Sequence, residues 1–280
     1  MEVDRIKKSL ESSTLFLILG PQEGGKTTLL KLIAKMLGEN AVTIFLKEKQ
    51  SEWRSLNLPS FKPTFKPEDL VEWGLSGVRH IETTRGGQVA PWRQIACNLL
   101  DEWSFKTPVC EGAAPLESGI MSWARAEFSK FREYISLEPG VSKGGAMPIE
   151  SYIDIIAVAV SRLANYVDAT HLIIDDVVAQ LGRFKITSWS LLQRNWFRVV
   201  VGQQVYQSRD IYELRELATA SDAICLTPLK IGERVRWKPW HLSALKELRI
   251  HLKPKNGRYM CFDDYGTYEI PFNDLVKLIS

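Results

Sequence analysis

The chain has few cysteines, and none of them is in a metal-binding arrangement. Its 280 residues include only four cysteines, which stand singly at Cys97, Cys110, Cys225 and Cys261 without any C-x-x-C pair. This pattern favours neither a zinc site nor a disulfide framework. We therefore expect reduced thiols and a cytosolic compartment.

Long hydrophobic runs are also missing. The longest, at 15–19 and 155–160, are far shorter than the roughly 20 apolar residues that a membrane-spanning helix needs. The first residues are charged and have no apolar core, so we expect no signal peptide. These patterns predict a cytoplasmic protein without a membrane span.

Neither sign of charge is in large excess. The chain has 36 basic and 33 acidic residues, a net charge of +3, which permits contact with an anionic polymer without requiring it. Hydrophobic residues make up 45% of the chain, enough to fill a substantial core. We expect a folded globular protein.

The first 48 residues alternate between helix and strand patterns. An amphipathic helix is predicted over 3–10, a buried strand over 15–19, a helix over 28–37 that stops at Gly38, and a second buried strand over 42–46. A β-α-β unit of this kind builds a parallel sheet. The sequence therefore predicts an α/β fold.

A glycine-rich turn joins the first strand to its helix and fits G-x-x-x-x-G-K-[ST] at every fixed position. Backbone N–H groups of such a loop point at phosphate oxygens, while Lys26 neutralises phosphate charge and Thr27 offers a hydroxyl to magnesium. The motif predicts hydrolysis of a nucleoside triphosphate, with ATP the favoured nucleotide and Mg²⁺ as its metal. The predicted binding residues are Gly20, Pro21, Gln22, Glu23, Gly24, Gly25, Lys26, Thr27 and Thr28.

Two acidic residues follow another predicted strand, at 171–174. A magnesium-dependent phosphate loop needs a carboxylate at the end of a neighbouring strand, and Asp175 and Asp176 stand there. We assign Asp175 to the metal and Asp176 to polarisation of the attacking water. Glutamate is commoner at the second place and reaches about one C–C bond further. Glu48, just after the second strand, is the alternative base.

A strand predicted over 198–201 runs into Gln203. The C-terminal ends of adjacent parallel strands open on one crevice, so this amide could sit beside the γ-phosphate and respond to hydrolysis. The alternative is a polar strand end with no role.

The remaining pattern predicts an insertion followed by more alternating elements. We predict one domain over 1–280, with its core in 1–50 and 149–280 and a partly helical insertion at about 51–148. Antiparallel strands close the chain, with a hairpin turn at 255–257 and another turn at 264–266. The other predicted helices are 91–103, 118–134, 149–167, 188–196, 211–218 and a short one after Asn273, and the other strands are 223–226, 248–252, 258–262 and 267–270.

Residues 230–241 interleave basic side chains with Trp237 and Trp240. Cations on phosphates and indoles against bases would suit a nucleic acid. The same stretch also fits a solvated sheet edge with two tryptophans packed on the core. Both interpretations are open at this point.

In order along the chain, the phosphate loop, the acidic strand and the glutamine strand resemble the additional-strand catalytic-glutamate class of P-loop ATPases. Within that class they resemble the FtsK/HerA superfamily of DNA translocases and viral genome-packaging ATPases. The matching stretches are 15–28, 171–176 and 194–226. They include Arg194 before the glutamine strand and Arg215 on the helix after it. The departures are Asp176 in place of the usual glutamate and the long insertion.

The resemblance implies a three-layer P-loop NTPase sandwich with a mainly parallel sheet. It also implies a ring, expected to be hexameric, in which an arginine of one subunit reaches the γ-phosphate bound by its neighbour. The predicted function is an ATP-driven motor that translocates double-stranded DNA, either for viral genome packaging or for pumping of plasmid or chromosomal DNA. If it is viral, we expect capsid or portal proteins as partners and a host-cytoplasmic or virion location. The candidate arginines are Arg183, Arg194, Arg209 and Arg215.

Two other functions remain open. One is a RecA/RadA-like recombination ATPase that assembles on DNA without pumping it. The other is a small-molecule kinase, which also uses a phosphate loop. A GTP switch is disfavoured, because the chain has no N-K-x-D motif to read guanine.

Overall fold

A computed structural model describes residues 2–46, 49–58, 67–68, 70–71, 83–85, 88–90, 92–128, 132, 145–149, 170–176, 198–205 and 211–279. The chain divides into two compact units. The first comprises residues 1–61, 143–151 and 168–280, and the second comprises 62–142 and 152–167. The phosphate loop and both acidic residues belong to the first unit.

The named helices and strands of the described residues are as follows. The strands are β1 (Leu15–Gly20), β2 (Ala41–Leu46), β3 (Thr83–Arg85), β4 (Gln88–Ala90), β5 (Gly145–Ile149), β6 (His171–Asp175), β7 (Arg198–Gln204), β8 (Ala223–Leu226), β9 (Lys230–Ile231), β10 (Arg234–Val235), β11 (Arg258–Asp263) and β12 (Gly266–Pro271). The helices are α1 (Glu2–Ser12), α2 (Lys26–Leu37), α3 (Gln50–Trp53), α4 (Trp92–Glu102), α5 (Ser118–Phe128), α6 (Ile211–Ala220), α7 (Pro239–Glu247) and α8 (Phe272–Ile279). None of these described helices has the length and apolarity to cross a bilayer.

Eight of these strands form one sheet, in the order β12-β11-β8-β1-β7-β6-β2-β5. The strands from β8 to β5 are parallel, and β11 and β12 are antiparallel additions, so the predicted sheet is confirmed. Strand β7 lies between β1 and β6, with Leu19 opposite Gln203 and Asp175 opposite Gly202. The carboxyl ends of the phosphate-loop, glutamine and acidic strands therefore meet at one edge of the sheet.

Hydrophobic side chains are buried on both faces of the sheet. On β1, Phe16 and Ile18 point to one face and Leu15, Leu17 and Leu19 to the other, because side chains alternate along a strand, and all five are buried. Phe16 and Ile18 share a core cluster with residues of α1, α2 and α8, whereas α6 contacts β1 without joining that cluster. Helices thus cover each face, which is the predicted three-layer arrangement.

The C-terminal part differs from its prediction at one strand. The β11–β12 turn lies where it was expected, with Asp263 opposite Gly266. The turn predicted at 255–257 is present, with Lys255 opposite Arg258 in an isolated antiparallel bridge, but the strand predicted over 248–252 is wrong. That stretch follows α7, and Ile250 N donates to Leu245 O at 2.9 Å. Helix α7 was not predicted, although Pro239 at its first turn is a typical helix start.

Strand β5 lies inside the predicted insertion but pairs in parallel with β2, from Val42 opposite Gly145 to Leu46 opposite Ile149. It is the last of the described strands in the sheet order, and the edge of a sheet tolerates a proline such as Pro148. Ile149 therefore ends a strand and does not begin a helix. The rest of the helix predicted over 149–167, the helix predicted over 188–196 and the end of the one predicted over 118–134 lie outside the described residues.

Helices α4 and α5 pack against each other in the second unit. The Arg125 guanidinium donates two hydrogen bonds to the Glu102 carboxylate, at 2.8 and 2.6 Å. Both helices were predicted, and their described parts agree with the prediction. Their buried residues are Ile95, Ala96, Cys97, Leu99, Leu100, Ile120, Met121 and Ala124.

The four cysteines form two disulfides, so the prediction of reduced thiols is wrong. Cys97 is bonded to Cys110 within the second unit. Cys225 on β8 is bonded to Cys261 on β11, and the two residues face each other across the antiparallel pair. Disulfide partners cannot be deduced from spacing alone, and these cysteines meet only because the folded chain brings them together.

Candidate functional site

The turn between β1 and α2 packs tightly against the residue that follows β8. A Cβ atom at Gly20 would lie 2.1 Å from Thr227 Oγ1, and one at Gly24 would lie 2.9 Å from the same atom. Gly25 has a φ of 96°, in the left-handed region that glycine adopts without strain. The two fixed glycines of the motif are therefore explained by close packing at Gly20 and by backbone conformation at Gly25.

The start of α2 presents backbone donors. Its first helical hydrogen bond runs from Leu29 N to Gly25 O, at 3.2 Å, so the N–H groups of Lys26, Thr27 and Thr28 have no partner within the helix. Among the described residues no side chain caps this end. Free N–H groups together with the positive end of the helix dipole favour an anion such as a phosphate.

The loop also carries an acidic residue, Glu23, whose charge is neutralised. Arg236 Nη1 donates to Glu23 Oε2 at 2.6 Å, and Arg234 Nη1 lies 3.8 Å from the same oxygen. A carboxylate without such partners would repel a phosphate bound beside it. The two arginines therefore make an acidic residue compatible with an anion-binding loop.

Lys26 is buried and folded over the loop. Its Nζ donates to Pro21 O at 2.9 Å and lies 3.8 Å from Asp176 Oδ2. Burial lowers the pKa of Lys26 below its ordinary value, although the charge of Asp176 opposes this shift. The ammonium group thus lies between the phosphate loop and the acidic strand.

Asp175 is fully buried at the end of β6 and its carboxylate accepts three hydrogen bonds. Oδ2 accepts from Thr27 Oγ1 at 2.9 Å and from Trp53 Nε1 at 2.9 Å, and Oδ1 accepts from Lys49 Nζ at 2.7 Å. The ring of Trp53 stacks on Phe45, with centroids 5.6 Å apart. This network fixes the carboxylate beside the hydroxyl at the start of α2.

Lys49 bridges the two acidic residues. Its Nζ lies 2.7 Å from Asp175 Oδ1 and 2.7 Å from Asp176 Oδ2. Burial alone would lower the pKa of Lys49, but the charges of Asp175 and Asp176 outweigh it and raise that pKa above its ordinary value. With Lys26 nearby, two lysines balance two carboxylates.

Asp176 has an unusual backbone conformation. Its φ is 56°, in a region that costs a non-glycine residue about 1 kcal/mol or more. Its N–H donates to Gly202 O on β7 at 2.8 Å, which holds the residue in place. Its Oδ1 is buried without a hydrogen-bond partner among the described residues. The side chain therefore presents an acceptor atom that is ready for a ligand.

Gln203 is buried one residue beyond Gly202. Its Nε2 donates to Gln204 O at 3.2 Å, and its Oε1 is buried without a hydrogen-bond partner in the described part of the chain. Gln203 stands opposite Leu19 on β1, and Gln204 stands opposite Gly20. The amide therefore belongs to the strand edge from which the phosphate loop leaves the sheet.

The described donors fit a magnesium–triphosphate. Unpaired N–H groups and Lys26 suit phosphate oxygens, and the Thr27 hydroxyl beside the Asp175 carboxylate is the hard oxygen set that Mg²⁺ prefers. Oδ1 of Asp176, which has no hydrogen-bond partner among the described residues, supplies one more oxygen at the same place. Such a site would be excluded if Lys26 and Asp175 lay far apart, but both residues lie at the same edge of the sheet.

Comparisons with known proteins give a likeness in structure only. No family model and no curated protein matches the sequence. A solved structure of VirB4 of Thermoanaerobacter pseudethanolicus aligns with a TM-score of 0.51 at 11% identity, over 94% of this chain and 90% of that one. The strand order, the phosphate loop and this alignment agree. The chain has a P-loop NTPase fold.

A second likeness is weaker. The cytoplasmic domain of the type VII secretion ATPase EccC of Thermomonospora curvata aligns with a TM-score of 0.35 at 15% identity. That alignment covers 92% of this chain but only 23% of EccC, and its score is too low to support an inference. The P-loop NTPase fold therefore rests on the site geometry, the strand order and VirB4.

Some predicted residues lie away from this site or outside the described chain. The Arg215 guanidinium on α6 donates to Glu247 O, from Nη2 at 2.9 Å, and its action on a neighbouring subunit stays a prediction. Arg183, Arg194, Arg209 and Glu48 lie outside the described residues.

The basic segment at 230–241 had two open interpretations, and the structure bears on the one that packs its tryptophans on the core. Trp237 is buried, and its Nε1 donates to Thr227 O at 3.0 Å, so its indole packs on the core and does not face a base. Trp240 lies on the His241 ring, with centroids 3.5 Å apart. The interpretation as packed tryptophans is correct for Trp237.

Sequence reasoning missed Lys49, Trp53 and Thr227. None of them belongs to a recognised motif. The pairing of strands or the path of a loop brings all three to the site. The one available signal was the position of Lys49 just after the second predicted strand, where only Glu48 was considered.

His241, at the start of α7, accepts a hydrogen bond at Nδ1 from Lys238 N, at 2.8 Å. Burial, and then the positive charges of Lys238 and Lys26, lower the pKa of His241 to about 4. Protonation would place a hydrogen on the nitrogen that accepts this bond. The folded protein therefore holds His241 in its neutral form near pH 7.

We expect His241 to make stability depend on pH. An unfolded histidine has a pKa of about 6.5, so as the pH falls the unfolded chain takes up the proton first. The contribution of neutral His241 is complete above that value and is lost as the pH falls towards about 4. Urea denaturation of His241→Gln should show a smaller loss of unfolding free energy on acidification than wild type. His251→Gln, at an exposed histidine, is the control, and equal losses in wild type and His241→Gln would contradict the prediction.

Proposed function

We propose that this chain is an Mg²⁺-dependent ATPase that drives a DNA-translocating motor. The observation that carries the proposal is the meeting of Thr27 Oγ1 with Asp175 Oδ2 at 2.9 Å, beside Lys26 and Asp176. A phosphate loop alone binds phosphate. A strand-end carboxylate beside its threonine adds a place for the metal, and a second carboxylate adds a base.

Each residue has a distinct role in this proposal. Backbone N–H groups at the start of α2 and Lys26 hold the β- and γ-phosphates and stabilise the negative charge that develops on them. Thr27 and Asp175 would hold Mg²⁺, which would supply further neutralisation of the phosphate oxygens. Asp176 accepts the proton of the attacking water. Gln203, at the end of β7, contacts the γ-phosphate side of the site. It links loss of the γ-phosphate to movement of the strand edge.

The position of β7 favours a motor over a simple kinase. The resembled class is named for an additional strand, and β7 lies between the phosphate-loop strand and the acidic strand. The likeness to VirB4 over most of both chains supports a fold of the same kind. We extend the proposal to a homo-oligomeric ring, expected to be hexameric, in which an arginine such as Arg215 acts in trans. Packaging of a viral genome, with capsid or portal proteins as partners, stays a narrower prediction.

Double-stranded DNA is expected to stimulate ATP hydrolysis by the wild-type chain. Phosphate contacts release counterions, so the stimulation should fall steeply as salt rises from about 50 to 200 mM. Phosphate release should be measured with duplex DNA, single-stranded DNA and no nucleic acid, at several salt concentrations. Lys26→Ala serves as the background control. Turnover that no nucleic acid changes would refute the DNA motor while leaving the ATPase proposal intact.

The alternatives predict different results in the same preparation. A recombination ATPase would form filaments on DNA where a motor forms closed rings, which negative-stain images and mass measurement with nucleotide distinguish. A small-molecule kinase would transfer phosphate to an acceptor and release little of it. Neither alternative has a structural observation in its favour beyond those that the motor also explains.

A further inference from the structure

Lys49 reaches the site because of the sheet order. It follows β2, and β2 lies directly beside β6, with Phe45 opposite Asp175. The short helix α3 then carries Trp53 to the same carboxylate. The fold therefore places a lysine, by a route that no motif specifies, between the two acids that the proposed function uses.

The Lys49 ammonium lies between two carboxylates of the kind that bind a metal cation. Its ammonium is 2.7 Å from one oxygen of each carboxylate. The Thr27 hydroxyl lies on the other oxygen of Asp175, at 2.9 Å. The same two carboxylates are the ones that a bound metal would use, directly or through water. An ammonium and a divalent cation would repel each other across so short a span.

The Lys49 side chain can also move away from the two carboxylates. Its side chain is 18% exposed, whereas that of Asp175 is fully buried. A lysine has a flexible four-carbon stem and a compact charge that water solvates well. The ammonium can therefore turn outward while Trp53 Nε1 still donates to the Asp175 carboxylate and the backbone N–H of Asp176 still donates to Gly202 O.

We propose that Lys49 is a built-in cation that stands between Asp175 and Asp176 while no nucleotide is bound and gives way when Mg²⁺ and nucleotide enter. The inference rests on the proposed function, because it takes Thr27 and Asp175 as the metal side of the site. It assigns Lys49 the role of keeping two adjacent carboxylates from repelling each other before a metal binds. It also makes Lys49 a competitor that sets how tightly the site holds a divalent ion.

Binding of Mn²⁺ to the nucleotide-free protein tests this competition without any need for hydrolysis. Free Mn²⁺ is followed by electron paramagnetic resonance during titration of wild type, Lys49→Met and Lys49→Gln. Both variants remove the charge, and Lys49→Gln keeps a hydrogen-bond donor. We expect both to bind Mn²⁺ about tenfold more tightly than wild type, a change of about 1.4 kcal/mol. Lys49→Arg, which keeps the charge, should bind no more tightly than wild type.

Lys31→Met is the matched control, since Lys31 Nζ bonds to Ser55 Oγ at 3.1 Å and does not bridge the carboxylates. Thermal unfolding supplies a second measure. Lys49→Met should be less stable than wild type, because its two carboxylates repel each other without the lysine between them. Millimolar Mg²⁺ should stabilise Lys49→Met more than it stabilises wild type. Equal Mn²⁺ affinity in wild type, Lys49→Met and Lys49→Gln would overturn the inference, as would a stability loss that Mg²⁺ does not repair.

These results separate the inference from the proposed function. Tighter Mn²⁺ binding by the Lys49 variants, together with a wild type that does not hydrolyse ATP, would support the role proposed for Lys49 and refute the proposed ATPase function. Unchanged Mn²⁺ binding by the Lys49 variants, together with a wild type that hydrolyses ATP, would refute the role proposed for Lys49 and support the ATPase function.

Discussion

Replacing Lys26 with alanine is expected to abolish ATP hydrolysis. In this structure the buried ammonium of Lys26 lies between the phosphate loop and Asp176, where it would neutralise charge on the β- and γ-phosphates. Loss of one preorganised donor from a charged transition state costs about 100- to 1,000-fold in rate, and the phosphate loop has no other lysine. Turnover should fall to background in a phosphate-release assay, and calorimetry should show weaker nucleotide binding.

Lys35→Ala is the control for this change. Lys35 stands on the same helix but is exposed in its last turn, with Nζ 2.9 Å from Leu278 O. It should keep wild-type turnover. A Lys26→Ala protein that folds and hydrolyses ATP at the wild-type rate would show that the phosphate loop is not the reaction site.

Asp176→Asn is expected to slow hydrolysis by about 100-fold or more while leaving nucleotide binding largely intact, since general-base catalysis contributes about 100- to 10,000-fold. An amide matches the carboxylate in shape but cannot accept the water's proton. The held position of Asp176, with its N–H on Gly202 O and a buried oxygen without a partner among the described residues, makes it the better candidate base of the two acids. Turnover and nucleotide affinity should therefore be measured separately.

Asp264→Asn makes the same chemical change in the exposed turn after β11 and should leave both quantities unchanged. If Asp176→Asn turns over like wild type, the base lies elsewhere, and Glu48 becomes the residue to replace. If Asp176→Asn loses nucleotide binding together with turnover, Asp176 holds the metal and does not activate the water.

The parts of the site that lie within one motif could be predicted from the sequence. The phosphate loop is recognisable because its spacing is dictated by backbone curvature, and a buried strand and a helix flank it as required. Asp175 could be placed because a phosphate loop needs a carboxylate at a strand end, and the hydrophobic run before Asp175 predicts such a strand. The structure brings Asp175 to Thr27 as that prediction requires.

The parts that depend on strand order could not be predicted. Lys49 and Trp53 meet Asp175 because β2 pairs with β6, which neither periodicity nor spacing reveals. Strand β5 escaped prediction because Gly145 and Pro148 are poor strand formers, and only its place at the end of the sheet order accommodates them. The cross-strand disulfide of Cys225 was missed for the same reason, since the β8–β11 pairing creates it.

The predicted tail illustrates the limit of turn chemistry. Lys255-Asn256-Gly257 carries a strong hairpin signal, and a turn does form there with Lys255 opposite Arg258, but the strand predicted before it does not form. A hairpin needs a strand on each side of its turn, and 248–252 instead follows α7 with Leu248 buried and Ile250 N bonded back to Leu245 O. The residues of the turn therefore predicted the turn itself, but they did not show that 248–252 is not a strand.

A crystal structure of the chain with Mg²⁺ and a non-hydrolysable ATP analogue is the most direct test of the site. We predict phosphate oxygens on the backbone N–H groups of Gly25, Lys26 and Thr27, with the metal on Thr27 Oγ1 and Asp175 beside it. Lys49 should then have moved away from the carboxylates. An analogue bound elsewhere on the chain, or phosphates and metal on separate surfaces, would contradict the proposed site.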